Sequence, residues 1–193
     1  MTAPKIVPLP MESMEAGWQS TLDRIPGDGL KGRYAPRNVL GTLMHAPNTL
    51  GVFFEFWVTA KQRMTLSVRE QELVILRMGV LYGSEYVWRH HVPVAREFGL
   101  TEAELEGVRT GNIAALPTAR EQALVALTGE LVEHRTLSDA AWSEHGEFLP
   151  HDTLLELISL VAQYVLFALT NNVYRVALEE PMLEIPGLGH TLV

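Results

Sequence analysis

The start signals of helices are the feature of this sequence that most constrains its fold. Three segments, residues 67–70, 101–104 and 118–121, place a Ser or Thr three positions before a Glu. At that spacing the hydroxyl oxygen accepts a hydrogen bond from the backbone N–H three residues on. The carboxylate in turn accepts one from the backbone N–H of the first residue. Each segment therefore predicts the beginning of a helix.

Helical periodicity continues between these signals, and strand-like alternation is scarce. We predict helices over residues 37–62, 68–82, 84–98, 102–110, 118–134, 139–148 and 152–178. Residues 1–35 are rich in proline and glycine, and we predict that they form an N-terminal arm with one short helix within residues 11–24. The chain is thus predicted to be all-α, with the arm followed by a single helical domain over residues 36–193.

Charge and composition exclude several kinds of partner and chemistry. The sequence has 15 Lys and Arg residues against 23 Asp and Glu, a net charge of −8 that repels phosphate backbones, so we expect no nucleic-acid partner. It contains no cysteine, which excludes disulfides, thiolate nucleophiles and cysteine-bound metals. Residues 1–17 hold no apolar run long enough for a signal-peptide core, so we expect a cytoplasmic location.

One segment is apolar enough to be compared with a membrane span. Residues 157–174 carry no charged side chain over 18 positions, which reaches the lower limit for a spanning helix. Five polar residues interrupt the segment, and each would need a partner in hydrocarbon: Ser159, Gln163, Thr170, Asn171 and Asn172. We therefore expect a core or oligomer-interface helix and no membrane partner.

Glu72 is the first candidate for chemistry. The helix predicted over residues 68–82 is apolar nearly all round, which indicates burial. Glu72 shares a helical face with Ile75, and a carboxyl group that loses its hydration there has a raised pKa. Such a group suits a general acid or base near neutrality. The alternative is a structural ion pair with Arg77 or Arg89.

His91 is the second candidate, on the next predicted helix. Ser84 and His91 are spaced i, i+7 and share one face, which we expect to be the apolar side, with His90 on the other. Adjacent side chains on a helix diverge by about 100°, so the two histidines cannot chelate one metal, and we predict no metal site. A short turn at Gly83 would bring His91 within reach of Glu72. The alternative is a hydrogen-bonded core histidine.

Two of the predicted helices begin with similar sequences. Residues 68–76 and 119–127 share Arg-Glu-Gln at matching positions, followed by an apolar run. Either two capped helices share a start signal, which we favour because the similarity ends after nine residues, or the chain carries a degenerate repeat. Glu72 stands where the second segment has Ala123.

The same residues resemble a known family. Residues 69–77, then Gly83-Ser84-Glu85-Tyr86-Val87-Trp88, then His91, then residues 95–101 look like the core of carboxymuconolactone decarboxylase / alkylhydroperoxidase D-like proteins, with weaker similarity over roughly residues 35–180. The resemblance implies an alkylhydroperoxidase D-like helical bundle. It also implies a homo-oligomer, a trimer or hexamer, which agrees with more apolar surface in residues 53–57 and 154–169 than one small domain needs to bury.

The chain departs from the alkylhydroperoxidase D branch at two positions. That branch carries a Glu, a Cys-x-x-Cys pair and a His that is separated from the pair by three residues. Glu72 and His91 stand in register with the acid and the imidazole, whereas Ser84 and Val87 replace the cysteines. Thiol-dependent peroxide reduction is therefore excluded. The lactone decarboxylases also lack the pair and keep the His, so the resemblance implies a cysteine-less branch.

We therefore expect a cofactor-free acid/base enzyme, a decarboxylase or isomerase acting on a small lactone or organic acid. His91 would shuttle the proton, and Glu72 would orient it or act as partner base. The predicted substrate-binding residues are Ser84, Tyr86, Trp88, Arg77 and Arg89. The alternative is a non-catalytic ligand-binding or oligomeric scaffold in which Glu72 and His91 satisfy one another in the core.

Overall fold

The computed structural model describes residues 3–14, 18–20, 23–24, 35–146 and 149–189. These residues are largely helical and contain no strand, which confirms the all-α prediction. The helices are α1 (Arg37–Leu43), α2 (Pro47–Arg63), α3 (Val68–Leu81), α4 (Glu85–Glu97), α5 (Glu102–Thr110), α6 (Ala119–His134), α7 (Asp139–Ala141), α8 (His151–Tyr174) and α9 (Glu180–Leu183). Met11–Ser13 and Ile113–Ala115 form 3₁₀ turns, and Trp142–Gly146 forms a π-helical turn.

The three predicted start signals all lie at helix N-termini. Ser67 before α3 and Thr101 before α5 each complete a capping box, in which both reciprocal hydrogen bonds are present. Thr118 before α6 accepts a hydrogen bond from the backbone N–H of Glu121. These bonds satisfy N–H groups that have no partner within the helix, which is why the starts could be located from the sequence.

The predicted helix over residues 37–62 is wrong, because the chain forms two helices there. α1 ends at Leu43 and α2 begins at Pro47. A proline ring has no N–H to donate and fits the first position of a helix far better than its interior. The last long helix also ends early, at Tyr174 instead of residue 178, because Arg175 adopts a left-handed backbone conformation with φ of 52°.

The chain divides into two compact units, the first of which comprises Met1–Met64 and Leu169–Ile185. Within it the backbone N–H of Leu9 donates to the carbonyl of Gly41 at 3.0 Å. The predicted arm boundary at residue 35 stays a prediction, because residues 25–34 lie outside the described residues. The helix predicted within residues 11–24 also lies partly outside them.

The second unit comprises Thr65–Ala168 and Pro186–Val193 and is built around α3. α3 packs most extensively against α4 and α6. Five of its apolar side chains are fully buried, as its composition predicts: Leu73, Val74, Ile75, Leu76 and Met78. Gly83, with φ of 55°, forms the left-handed turn that reverses the chain between α3 and α4. The two helices are thereby held side by side.

α8 is long and apolar enough to cross a bilayer by length and composition. However, 56% of its most apolar 18-residue window is buried inside the fold. A buried core helix passes the same test, so the helix is weak evidence for a membrane. The expectation of no membrane partner stays a prediction.

Candidate active site

Glu72 lies in the second turn of α3 with its side chain only 1% exposed. Oε2 of its carboxyl group is 2.6 Å from Nδ1 of His91 on α4. A buried carboxylate is costly unless it is hydrogen-bonded, and an imidazole N–H is a suitable donor. Glu72 thus pairs with the histidine, while Arg77 donates to the carbonyl of Val108.

His91 contacts a second polar group through its other ring nitrogen. Its Nε2 is 3.2 Å from the hydroxyl oxygen of Tyr164 on α8. The two rings meet edge to face, with centroids 5.3 Å apart and planes at 78°. His91 therefore links a carboxylate on one side to a phenol on the other, in a chain of three side chains from three helices.

With Glu72 ionised and His91 neutral, the positions of the protons in this chain of side chains follow from the chemistry of its members. An ionised carboxylate only accepts hydrogen bonds, so Nδ1 of His91 carries the proton that Glu72 receives. In a neutral imidazole the other nitrogen is then an acceptor, and the hydroxyl of Tyr164 donates to Nε2. Nε2 is thus the basic nitrogen of the ring. Of the three side chains His91 is the most exposed, at 19%, against 2% for Tyr164.

Tyr164 was not among the residues that we identified from the sequence. Its position in a long apolar helix predicted only burial, and the sequence does not show which helix α8 packs against. One signal was present, because a tyrosine buried among aliphatic side chains needs a hydrogen-bond partner for its hydroxyl. Tyr164 is 73 residues from His91 in the sequence, so the sequence did not indicate that His91 is this partner.

The expectation that His90 lies on the side of α4 away from the core is wrong. His90 is more buried than His91, at 6% exposure, and its ring stacks on Tyr86 with centroids 4.2 Å apart. α4 is covered on the faces of both histidines, because Tyr86 one turn earlier provides an aromatic surface for His90. The positions of polar and apolar residues along α4 therefore did not suffice to predict which of its faces is buried.

The predicted substrate-binding residues Trp88 and Arg89 contact other parts of the same chain. The indole N–H of Trp88 donates to the carbonyl of Pro186 at 3.0 Å, and Nε of Arg89 donates to Glu85 at 3.0 Å. The other carboxylate oxygen of Glu85 accepts from the backbone N–H of Leu188 at 2.9 Å. The segment Pro186–Gly189 is thus bonded to the first turn of α4.

Ser84 lies immediately before α4 and is fully buried. Its hydroxyl makes no capping bond to α4 and has no hydrogen-bond partner within the part of the chain that the structure describes. Tyr86 is 5% exposed. Burial lowers the pKa of Arg77, which lies half-buried beside α5. Substrate binding by these residues stays a prediction.

No cluster of three or more His, Asp or Glu side chains able to hold a metal ion occurs among residues 3–14, 18–20, 23–24, 35–146 and 149–189. His91 contacts the Glu72 carboxylate and the Tyr164 phenol. The prediction that no metal takes part is untested.

The protein is thus an all-α protein without cysteine, in which a carboxylate and an imidazole on neighbouring helices form a hydrogen-bonded pair. The model of the carboxymuconolactone decarboxylase family matches residues 47–130, which contain both of them. Over that segment the chain resembles the carboxymuconolactone decarboxylase family, and the whole sequence contains no cysteine. A comparison with curated proteins finds no match.

Solved structures share the fold at low sequence identity. The alkylhydroperoxidase AhpD core of an uncharacterized peroxidase-related protein from Ralstonia eutropha JMP134 matches with a TM-score of 0.78 and 12% identity, over 96% of this chain and 97% of that chain. The debrominase Bmp8 matches with a TM-score of 0.74 and 10% identity, over 92% and 94%. A protein of unknown function from Agrobacterium tumefaciens matches with 0.64 and 14%, over 71% and 94%. These likenesses confirm the predicted alkylhydroperoxidase D-like bundle.

Proposed function

We propose that the protein is a cofactor-free acid/base enzyme, a decarboxylase or isomerase that acts on a small lactone or organic acid. The observation that carries this proposal is the bond of 2.6 Å between Glu72 and His91. A buried carboxylate on Nδ1 orients an imidazole and stabilises its protonated form, so that Nε2 can accept and return a proton. His91 is also the member of the pair that solvent reaches.

In a decarboxylation, the bond between the carboxylate carbon and the rest of the substrate breaks, and CO₂ leaves. The electron pair stays with the substrate as an enolate or dienolate conjugated to a carbonyl. Nε2 of His91 takes up a proton from water during the reaction and gives it to the carbon that lost CO₂, which returns His91 to its neutral form. In an isomerisation, neutral His91 removes a proton from one carbon and returns it to another.

This chemistry needs no cofactor where the substrate carries its own electron sink. A lactone carbonyl conjugated to the departing carboxylate supplies that sink, which is why we favour a lactone acid of the carboxymuconolactone type. Tyr86, Trp88, Ser84 and the guanidinium groups of Arg77 and Arg89 are the residues that we propose for binding it. For Trp88 and Arg89 this requires exchange of their present partners in the segment Pro186–Gly189 and in Glu85.

The test is the consumption of carboxymuconolactone, followed by ultraviolet absorbance, for the parent, His91→Ala and His90→Ala. The last variant is a matched control, because it removes a neighbouring buried imidazole that stacks on Tyr86. Loss of turnover in His91→Ala, with His90→Ala retaining it, supports the proposal. Turnover by His91→Ala within a few-fold of the parent contradicts it.

The second candidate is a non-catalytic ligand-binding or oligomeric scaffold. It is favoured by the intramolecular bonds of Trp88 and Arg89, which occupy two of the donors proposed for a substrate. Here the Glu72–His91 pair serves stability alone. His91→Ala then lowers the thermal midpoint markedly, because it leaves a buried carboxylate without its donor. No small lactone or organic acid is turned over by the parent.

We further propose that the protein works in the cytoplasm as a homo-oligomer, a trimer or hexamer. Large apolar side chains are exposed on α2, where Val52 is 74% and Phe56 is 50% exposed. On α8, Leu155 is 67% and Ile158 is 47% exposed. Exposed apolar surface of this kind is typical of subunit interfaces. A monomer in light scattering at micromolar concentration contradicts the oligomer.

A further inference from the structure

We propose that Tyr164 is a positioning residue for His91, which keeps Nε2 unprotonated and the imidazole ring in place before a substrate arrives. This inference rests on the proposed acid/base role of His91. Tyr164 lies in the C-terminal part of the chain. The spacing of the site residues does not point to it, and neither does the replacement of the cysteine motif.

The first argument is the direction of the hydrogen bonds. When Nδ1 of His91 donates its proton to Glu72, Nε2 has only a lone pair and can only accept a hydrogen bond. The hydroxyl of Tyr164, whose oxygen is 3.2 Å from Nε2, is then the donor. Both ring nitrogens therefore have protein partners on opposite edges of the ring. Two such anchors fix the rotation of the ring as well as its tautomer, whereas one anchor fixes only the bonded edge.

The second argument is burial. Tyr164 is 2% exposed, and its ring is held by Phe167, with centroids 5.5 Å apart and planes at 47°. A phenol that is packed in this way presents its hydroxyl at a fixed point. Because the side chain of His91 is 19% exposed, substrate meets the imidazole, and Tyr164 acts through it.

The third argument is the inequality of the two bonds. The contact of 2.6 Å with the Glu72 carboxylate is charge-assisted, and the contact of 3.2 Å with Tyr164 is long for a hydroxyl donor. The weaker bond is the one that gives way when a substrate proton approaches. Nε2 is thus the reacting nitrogen, and Glu72 keeps hold of Nδ1 throughout.

The experiment compares Tyr164→Phe with the parent by ¹H–¹⁵N correlation spectra of the histidine ring nitrogens, in which His91 is assigned by the signals lost in His91→Asn. Phe167→Leu is the control, because it alters the packing of Tyr164 and retains the hydroxyl. We expect the parent to show a protonated Nδ1 and an unprotonated Nε2. In Tyr164→Phe the Nε2 signal should move toward that of a free unprotonated nitrogen, and in Phe167→Leu it should not.

With a confirmed substrate, Tyr164→Phe should lower kcat by about 10–100-fold with little change in KM, because a misplaced ring costs rate more than binding. A protonated Nε2 in the parent, or an unmoved Nε2 signal in Tyr164→Phe, overturns the inference without any activity assay. A moved signal with unchanged kcat also overturns it. Failure of the proposed function is read separately, from the parent and His91→Ala.

Discussion

Nδ1 of His91 lies 2.6 Å from Oε2 of Glu72, although the two residues are 19 positions apart and belong to different helices. The left-handed turn at Gly83 reverses the chain between them, and the packing of α3 on α4 sets the distance. A carboxylate in this position, 1% exposed, stabilises positive charge on the ring.

Replacement of Glu72 by Gln should therefore impair catalysis more than folding. The amide can still accept a hydrogen bond from Nδ1, but it has no charge to stabilise the imidazolium. We expect turnover to fall by about 10²–10⁴-fold and the free energy of unfolding by about 1–3 kcal/mol. Turnover assays and urea unfolding measure the two effects. Parent-like turnover by Glu72→Gln would rule out an electrostatic role of the carboxylate.

Arg69 and Arg120 should differ sharply in their contributions to stability. The two similar segments that open α3 and α6 pair reciprocally, since Arg69 binds Glu121 and Arg120 binds Glu70. Arg69 also binds Glu104, and both of its carboxylate partners are at most 10% exposed. Arg69→Ala should cost about 3–5 kcal/mol, because two buried carboxylates lose the cation that they share and keep only the uncharged donors of Thr101 and Thr118.

Arg120→Ala is the matched comparison. Arg120 is 36% exposed, and its partner Glu70 keeps the hydrogen bonds of the Ser67 capping box. The loss should be about 0–1 kcal/mol. Urea unfolding of both variants at one pH measures the two changes in the free energy of unfolding. Equal changes would show that the two reciprocal ion pairs contribute equally to stability.

Stability should decline in acid through the carboxyl groups of the capping boxes. Burial raises the pKa of Glu104, but hydrogen bonds from Thr101 and Arg69 outweigh it and hold that pKa below the usual 4.5. The unfolded chain then binds more protons than the folded chain as the pH falls from about 4.5, so folding becomes less favourable. The same balance, with Ser67 and Arg120 as donors, lowers the pKa of Glu70.

Urea midpoints between pH 7 and pH 3 measure this decline. Glu104→Gln should start from a lower stability at pH 7 and lose less of it in acid, because it cannot take up the proton. A parent and a Glu104→Gln protein with parallel pH profiles would show that Glu104 does not contribute to the acid sensitivity.

Helix starts were predictable because their determinants are local. Ser67 and Thr101 find their partners within three residues, so the sequence itself contains the whole capping interaction. The break before Pro47 has a local cause as well, the missing N–H of proline, but the apolar pattern on both sides of it outweighed that signal. The early end of α8 depends on the left-handed conformation of Arg175, which no residue preference indicates.

The candidate site was predictable only in part. Glu72 and His91 are joined by a short turn between consecutive helices, and the resemblance to the family placed them in register. Tyr164 completes the chain from 73 residues away, and that contact depends on how α8 packs in the second unit. The bond of Trp88 to Pro186 likewise links residues 98 positions apart. Tertiary packing, which periodicity does not encode, decides both contacts.

Gly41 should not tolerate a methyl group, whereas Gly129 should benefit from one. A Cβ at Gly41 would collide with the carbonyl oxygen of Leu9 and come within 3.1 Å of its nitrogen, on a stretch of backbone that is bonded to Gly41 itself. Gly41→Ala should therefore displace this segment from α1 and destabilise the protein by about 1–3 kcal/mol.

At Gly129, within α6, a Cβ would meet no atom within 4 Å. Gly129→Ala should stabilise the protein by about 0.5–1 kcal/mol, because alanine loses less conformational entropy than glycine in a helix. Urea unfolding of the two variants should give shifts of opposite sign. If Gly41→Ala were also neutral or stabilising, the close approach of Leu9 to α1 would contribute nothing to the folded state. The N-terminal segment would then be held by other contacts.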